Sequence, residues 1–414
     1  MSPYEYHEFN EQEKIIQSYW RCCLERKTTR EAVSDLLGVA EKSAVRWYCI
    51  VRGYEQIKPI AKGRYIFELF LDFIGAIILL RGFLMIVVPF APVRIALGDP
   101  FIGSTAHGIQ IMLVNGILIL ACGLRYHCFA AEKRGPVEAF QLYHRLRATK
   151  FDHKKFKLTS ADCSHIRKLF FLFIRFYLII TPLTCLAIAG WLGFAFIANP
   201  INYDNLTNFV VIGVWTVIVS ITITLGTYPS YWIYIQNTLI MVFVAFALNS
   251  NQFFGQLLVK SGIRANQNDI FEYFSQQNKI YNTINRSIVD LGSTFSHGVI
   301  VASGLADFAM FVSIWIGTGS DLFDYLIFAV GITIFSAIVM VNILAALTVV
   351  KVSSCHLTNY QIARYCKLNL SANLKLLATC ERMNVNQIGF TLGGIFTMNS
   401  HSFMLVGNNC LLFN

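Results

Sequence analysis

Seven apolar runs, each about as long as a membrane crossing, constrain this chain more than any motif in it. Crossing about 30 Å of hydrocarbon at 1.5 Å per helical residue takes about 20 residues. Runs of that length lie at 65–90, 108–131, 169–198, 209–248, 295–317, 322–350 and 388–413. In lipid a backbone must satisfy its own polar groups, so such runs read as helices. With 55% hydrophobic and 14% charged residues, the chain falls well below the roughly 25% charge of a soluble domain. The fold expected is an all-α polytopic membrane protein. The run at 209–248 is the longest and contains Pro229, so it admits one kinked span, a span with a re-entrant segment, or two spans.

The positions of the Lys and Arg residues decide the count. If the long run crosses once, segments 1–64, 132–168, 249–294 and 351–387 share one side and hold 11, 10, 4 and 5 basic residues, 30 of the 34 in the chain. If it crosses twice, the last two of these segments move across and the acidic turn near Asp321 and Asp324 moves inside, against the positive-inside tendency. Seven spans are therefore expected, with a cytoplasmic N-terminus and an extracellular C-terminus. The net charge of +10 marks orientation and gives no reason to invoke nucleic acid. The resulting division is a cytoplasmic region 1–64, spans one to six over 65–350 with cytoplasmic loops 132–168 and 249–294, a cytoplasmic segment 351–387 and a last span within 388–414.

The region before the first span has no apolar stretch that suits a signal peptide, so none is expected. Eleven cysteines are scattered without a CxxC or a Cys/His ligand cluster, which fits free thiols and gives no metal site and no cofactor. Asn205-Leu206-Thr207 falls in a loop on the outer side and offers Asn205 as a possible glycosylation acceptor. A G-protein-coupled receptor would place its N-terminus outside and carry Asp/Glu-Arg-Tyr and Asn-Pro-x-x-Tyr motifs at fixed spans, and neither motif occurs. A secondary transporter is the other alternative, suggested by the Pro-interrupted fourth run, but no second half repeats the break.

The C-terminal third is more specific. Segment 351–387 carries Leu368, Leu370, Leu374, Leu376 and Leu377, then Cys380-Glu381-Arg382-Met383-Asn384-Val385-Asn386, and leads into Gly394-Ile395-Phe396-Thr397-Met398-Asn399. In this pattern, and in length and inverted topology, the chain resembles the insect gustatory receptor family. The helical stretch from Tyr273 to Leu291 before the fifth span is similar too. The family's terminal Thr-Tyr pair falls on Asn409-Cys410, so the resemblance is to a member with a divergent or shortened C-terminus.

The resemblance implies a tastant-gated, non-selective cation channel subunit, a gustatory receptor in the plasma membrane of sensory neuron dendrites. It implies a homotetramer, or a heterotetramer with related receptors, with no enzyme chemistry. The last spans would line a central pore formed on oligomerisation, and 351–387 would supply an anchor helix. A pore helix needs one face that tolerates water and ions, and Thr397, His401, Leu405 and Asn408 follow at helical steps as its pore-lining residues. A small molecule among the outer halves of the other spans would meet aromatic faces: Phe83, Trp191, Phe194, Trp215, Phe308, Phe311, Trp315 and Tyr325.

Charges inside spans call for partners. Glu68 and Asp72 are expected to snorkel at the cytoplasmic end of the first span. Arg81 lies deeper, and Asp307 on the fifth span is the carboxylate expected to meet it in the ligand pocket. Residues 11–52, with Ile15, Ile16, Tyr19 and Trp20 and then Val33, Leu36, Leu37 and Val39, suggest amphipathic helices on the membrane surface or against the anchor. Lys154, Lys155 and Lys157 suit anionic inner-leaflet lipids of the bilayer.

Overall fold

The computed structural model describes residues 28–385 except 58, 105, 319 and 320, together with 388–392, 396 and 397. It is a helical bundle built from α1 (Arg30–Arg46), α2 (Lys62–Val87), α3 (Ala91–Ala96), α4 (His107–Arg134), α5 (Glu138–Ala148), α6 (His153–Phe156) and α7 (Ser160–Ala198), followed by α8 (Leu206–Ser261), α9 (Gln267–Phe311), α10 (Asp321–Tyr365) and α11 (Leu370–Val385). Among the described residues, six helices are long and apolar enough to cross a membrane: α2, α4, α7, α8, α9 and α10. They match the first six apolar runs, and α7, α8, α9 and α10 extend well beyond theirs. Side chains cap several starts: Thr159 accepts from Asp162 N at the head of α7, and Asn205 accepts from Asn208 N at the head of α8, as orphan helix N–H groups require.

The longest apolar run is one uninterrupted helix, α8, with Pro229 inside it. Proline removes one ladder hydrogen bond. On either side Thr227 Oγ1 donates to Ile223 O and Ser230 Oγ to Gly226 O, both at 2.8 Å, a back-bonding that tolerates a bend. The chain break that favoured a transporter is absent from this segment.

Of the four apolar clusters among the described residues, the two largest carry most of the packing. The larger joins α1, α5, α7, α8, α9 and α10 around Leu36, Phe140, Phe170, Trp232, Leu239 and Tyr281. The smaller joins α2, α4, α7 and α8 through Ile78, Met85, Ile111, Val114, Leu118, Leu192 and Val219. Of the two placements expected for the helix near residues 30–46, the membrane surface is corrected: Val33, Leu36, Leu37, Ala40 and Ala44 are fully buried in the larger core. Their three- and four-residue spacing makes one stripe, and the charges at its edge are paired, Arg147 with Glu41. After α1, Trp47 stacks on Tyr228 with centroids 4.1 Å apart, and Tyr54 stacks on Trp232 at 6.0 Å. Ile15, Ile16, Tyr19 and Trp20 lie outside the described residues. Cys49 is free and buried, and burial pushes its thiol well above the ordinary range.

Glu68 does not snorkel. It is buried and receives two bonds from Arg125 of α4, at 2.8 and 2.7 Å, and one contact from Arg64 at 2.5 Å. Asp72, one turn on, is half-buried. At the far end of the larger core, a separate cluster packs α11 against the first half of α9 and the last turns of α10 through Ile270, Tyr273, Phe274, Ile362, Ala372 and Leu376. Tyr273 donates to Asn359 Oδ1 at 2.9 Å there.

Where the seventh apolar run begins, Thr391–Leu392 pairs antiparallel with Phe396–Thr397. The opening residues of that run are therefore extended, contrary to the helix expected from 388. Gly389, Gly393 and Gly394 weaken helix propensity there. His401, Leu405 and Asn408 lie outside the described residues, and of Thr397 only the backbone is described.

Candidate functional site

Between α2, α4, α7 and α8, in the smaller core, lies an enclosed cavity. Ile78, Met85, Ile111, Val114, Leu192 and Val219 give it apolar walls, while Arg81, Asn115 and Thr216 supply polar groups. Its volume is about 20 Å³. That is room for roughly one water, against about 300 Å³ or more for small-molecule pockets. A larger occupant has to displace side chains.

Arg81 is the charged member, 6% exposed. Its Nε donates to Leu97 O and its Nη2 to Gly98 O at 2.6 Å. The guanidinium carbon lies 4.6 Å from the centre of the Trp215 ring, and a desolvated cation over a ring face contributes about 2 kcal/mol. Leu97 caps the C-terminus of α3, so the guanidinium also meets the negative end of a short helix. Gly98 makes this possible twice over. Its φ of 72° is a left-handed conformation that glycine adopts without strain, and a Cβ there would overlap Trp215.

The loop over the cavity is tied down by buried polar bonds. Asp99 is fully buried, accepts from Phe101 N at 2.9 Å and pairs with Nε2 of His107 at the head of α4. Asn199, at the end of α7, donates to Pro100 O at 3.2 Å and Ile102 O at 2.8 Å. Phe101 then packs on Trp191 with centroids 5.6 Å apart. On the cavity wall Gly82 faces Asn115, and a Cβ at position 82 would overlap the Asn115 carboxamide. Asn115 Nδ2, Trp191 Nε1 and Gln110 Oε1 are buried without a hydrogen-bond partner. A buried unpaired polar group costs about 1–3 kcal/mol, and of these three residues only Asn115 lines the cavity, so its amide is the donor that a polar occupant satisfies.

Of the ten residues expected to share a ligand pocket, Arg81 lines the cavity, while Trp191 and Trp215 pack behind it against the surrounding core. Phe308 is one layer away, packed on Leu113 and Leu305 beside Trp191. The rest face outward. Phe83 is 52% exposed because two residues from Arg81 turn it to the opposite side of α2. Asp307 is exposed, as are Phe311 and Trp315 at successive steps of four on one outward stripe of α9 and its π-helical end. Phe194 is exposed against Phe323, and Tyr325 is exposed near the start of α10. The expected Arg81–Asp307 pair does not form: backbone carbonyls and the Trp215 face satisfy the guanidinium.

Sequence reasoning missed Asn115, Thr216, Gly82 and the Asp99–His107 pair. Asn115 carried a usable signal, a lone amide near the middle of an apolar run. Asn205, the glycosylation candidate, is exposed, and its side-chain oxygen is engaged by Asn208 N at 2.7 Å.

No protein-family model matches the sequence, and no curated protein matches it either. Solved structures do. The insect olfactory receptor OR5 from Machilis hrabei in complex with eugenol superposes with a TM-score of 0.54, covering 93% of this chain and 96% of that one at 11% identity. Another structure of the same receptor gives 0.54 at 14% identity over 85% and 88%. At these identities the likeness is one of fold: this chain has the multi-pass helical architecture of an insect olfactory receptor.

Proposed function

We propose that this protein is a chemosensory receptor of the gustatory kind, a subunit of a tastant-gated, non-selective cation channel in the plasma membrane of sensory neurons. The cavity around Arg81 carries the reading. A charged group and an unpaired amide among apolar helix faces, with two indole rings packed behind them, are the kinds of group with which a small polar organic molecule is recognised. A protein of the same fold has been solved in complex with eugenol, a small aromatic molecule. The ligand acts by binding better to a state in which the cavity is open, and so shifts the population toward it.

Assembly into a tetramer, from identical or related subunits, is the second part of the proposal. Leu370, Leu374 and Leu377 lie one turn apart on α11 and are 76%, 58% and 63% exposed, while the opposite side of the helix packs on α9 and α10. An apolar stripe of this kind on a segment read as cytoplasmic suits contact with neighbouring subunits. The last span then lines the pore through Thr397, His401, Leu405 and Asn408, and Asn205 is placed for glycosylation on the outer side.

Epitope tags test the orientation that all of this requires. A tag before Met1 should be detected only after permeabilisation, and one in the loop at 199–205 on intact cells. A surface-exposed N-terminal tag would overturn the channel reading and restore that of a G-protein-coupled receptor.

A further inference from the structure

His297 of α9 is seated in a slot on α4. Gly123 opens the slot, since a Cβ there would overlap the imidazole. Above it the ring Nε2–H donates to Ile119 O at 3.2 Å. Positions 119, 123 and 127 follow at steps of four and so lie on one stripe of α4. The third of them is His127, whose ring centroid is 5.2 Å from that of His297 at an interplanar angle of 50°. Both residues are half-buried. With the proton on Nε2, the Nδ1 of His297 holds the free lone pair. His127 makes no hydrogen bond among the described residues; its ring contacts are Tyr126 and His297.

We propose that His127 and His297 form a two-imidazole binding site for a zinc-class divalent ion that clamps α4 to α9. The spacing suits it: two imidazoles on one tetrahedral ion, at metal–nitrogen distances of about 2.0–2.1 Å, have centroids roughly 5 Å apart. The second ring nitrogen of His297 is already bonded to a backbone carbonyl, the arrangement that fixes tautomer and orientation in metal-ligating histidines. Imidazole selects zinc, copper(II) or nickel(II) over magnesium or calcium. Water completes the coordination. The nearby Arg134 guanidinium donates to backbone carbonyls, Ala130 O and Asp290 O, each at 3.4 Å.

The site has consequences for the cavity. α4 carries both His127 and, twelve residues earlier, Asn115, about 18 Å along the same helix. α4 also forms one wall of the cavity, so an ion that clamps α4 to α9 restrains that wall, and zinc should oppose ligand action. That effect rests on the receptor reading above, whereas binding itself does not. The location of the site at the cytoplasmic end of both spans rests on the orientation proposed above.

Zinc binding to the purified full chain in detergent separates the two. Zinc chloride alone should raise the apparent Tm of the wild type, and cobalt(II) should give the visible absorption of a tetrahedral site. His127→Gln, which disturbs no hydrogen bond, should lose both responses, and His127→Cys should restore the cobalt signal with added thiolate character. His297→Gln should lose both as well. Absence of any response in the wild type, or a full response retained in His127→Gln, would overturn the proposal, whatever the protein does as a channel.

Discussion

Two single-residue contacts on α2 set the geometry of that helix at its opposite ends. At one end Glu68 is buried between Arg64 and Arg125. Removing one partner of a buried ion pair costs up to about 3–5 kcal/mol when the charge is left uncompensated, and less here because Arg64 still pairs with Glu68. Arg125→Ala should therefore lower the unfolding temperature of the solubilised protein. The double variant Glu68→Ala/Arg125→Ala should lose clearly less than the sum of the single losses, as read by fluorescence-detected size exclusion after heating. At the other end Gly82 leaves room for Asn115. Gly82→Ala should cost about 1–3 kcal/mol through overpacking, and adding Asn115→Ala should recover most of that loss in the same assay. The presence of charges within the spans was legible in the sequence, but their partners were not. Arg81 is satisfied by carbonyls of a loop, and no sequence pattern marks a carbonyl as a partner.

At the scale of the element, the six long helices were legible because lipid leaves a backbone no alternative to internal bonding. Their phase was not. Aromatic residues in a span serve lipid, neighbouring helices or a ligand equally well, which is why Phe83, Phe194, Phe311, Trp315 and Tyr325 turned outward while Trp191 and Trp215 turned in. α1 shows the same limit in reverse. Its amphipathic stripe was visible, yet a stripe does not say whether lipid or protein covers it, and here α5, α7 and α8 do. Leu36→Ala in α1 should cost about 2–5 kcal/mol and reduce the yield of folded protein at the cell surface. Leu374→Ala on the exposed side of α11 should leave the subunit's own unfolding temperature nearly unchanged. Comparable losses in the two would contradict the burial assigned to α1.

For the whole molecule, the expectation of an inverted orientation rests on the distribution of basic residues, and the bundle was legible in the apolar runs. The division into two cores emerged only in three dimensions, because it depends on how α1 and α5 wedge between helices far apart in sequence. The smaller core holds a small cavity with apolar walls and a few polar groups, which would have to expand to accept the proposed ligand. In the channel proposed above one subunit is incomplete, and the exposed leucines of α11 are where its neighbours are expected to join. Changing Leu370, Leu374 and Leu377 together to Asn should shift the purified protein from a tetramer to a monomer by mass photometry, without loss of helical content.

The central claim, that the protein is itself a ligand-gated channel, is tested most directly by recording from an excised outside-out patch of cells expressing it while small polar and aromatic tastants are applied. A cation current that rises promptly on ligand application in the absence of cytosol, and that is lost in Arg81→Leu, is the result expected. A response that occurs in the intact cell but vanishes on excision, because it needs soluble intracellular components, would contradict the account.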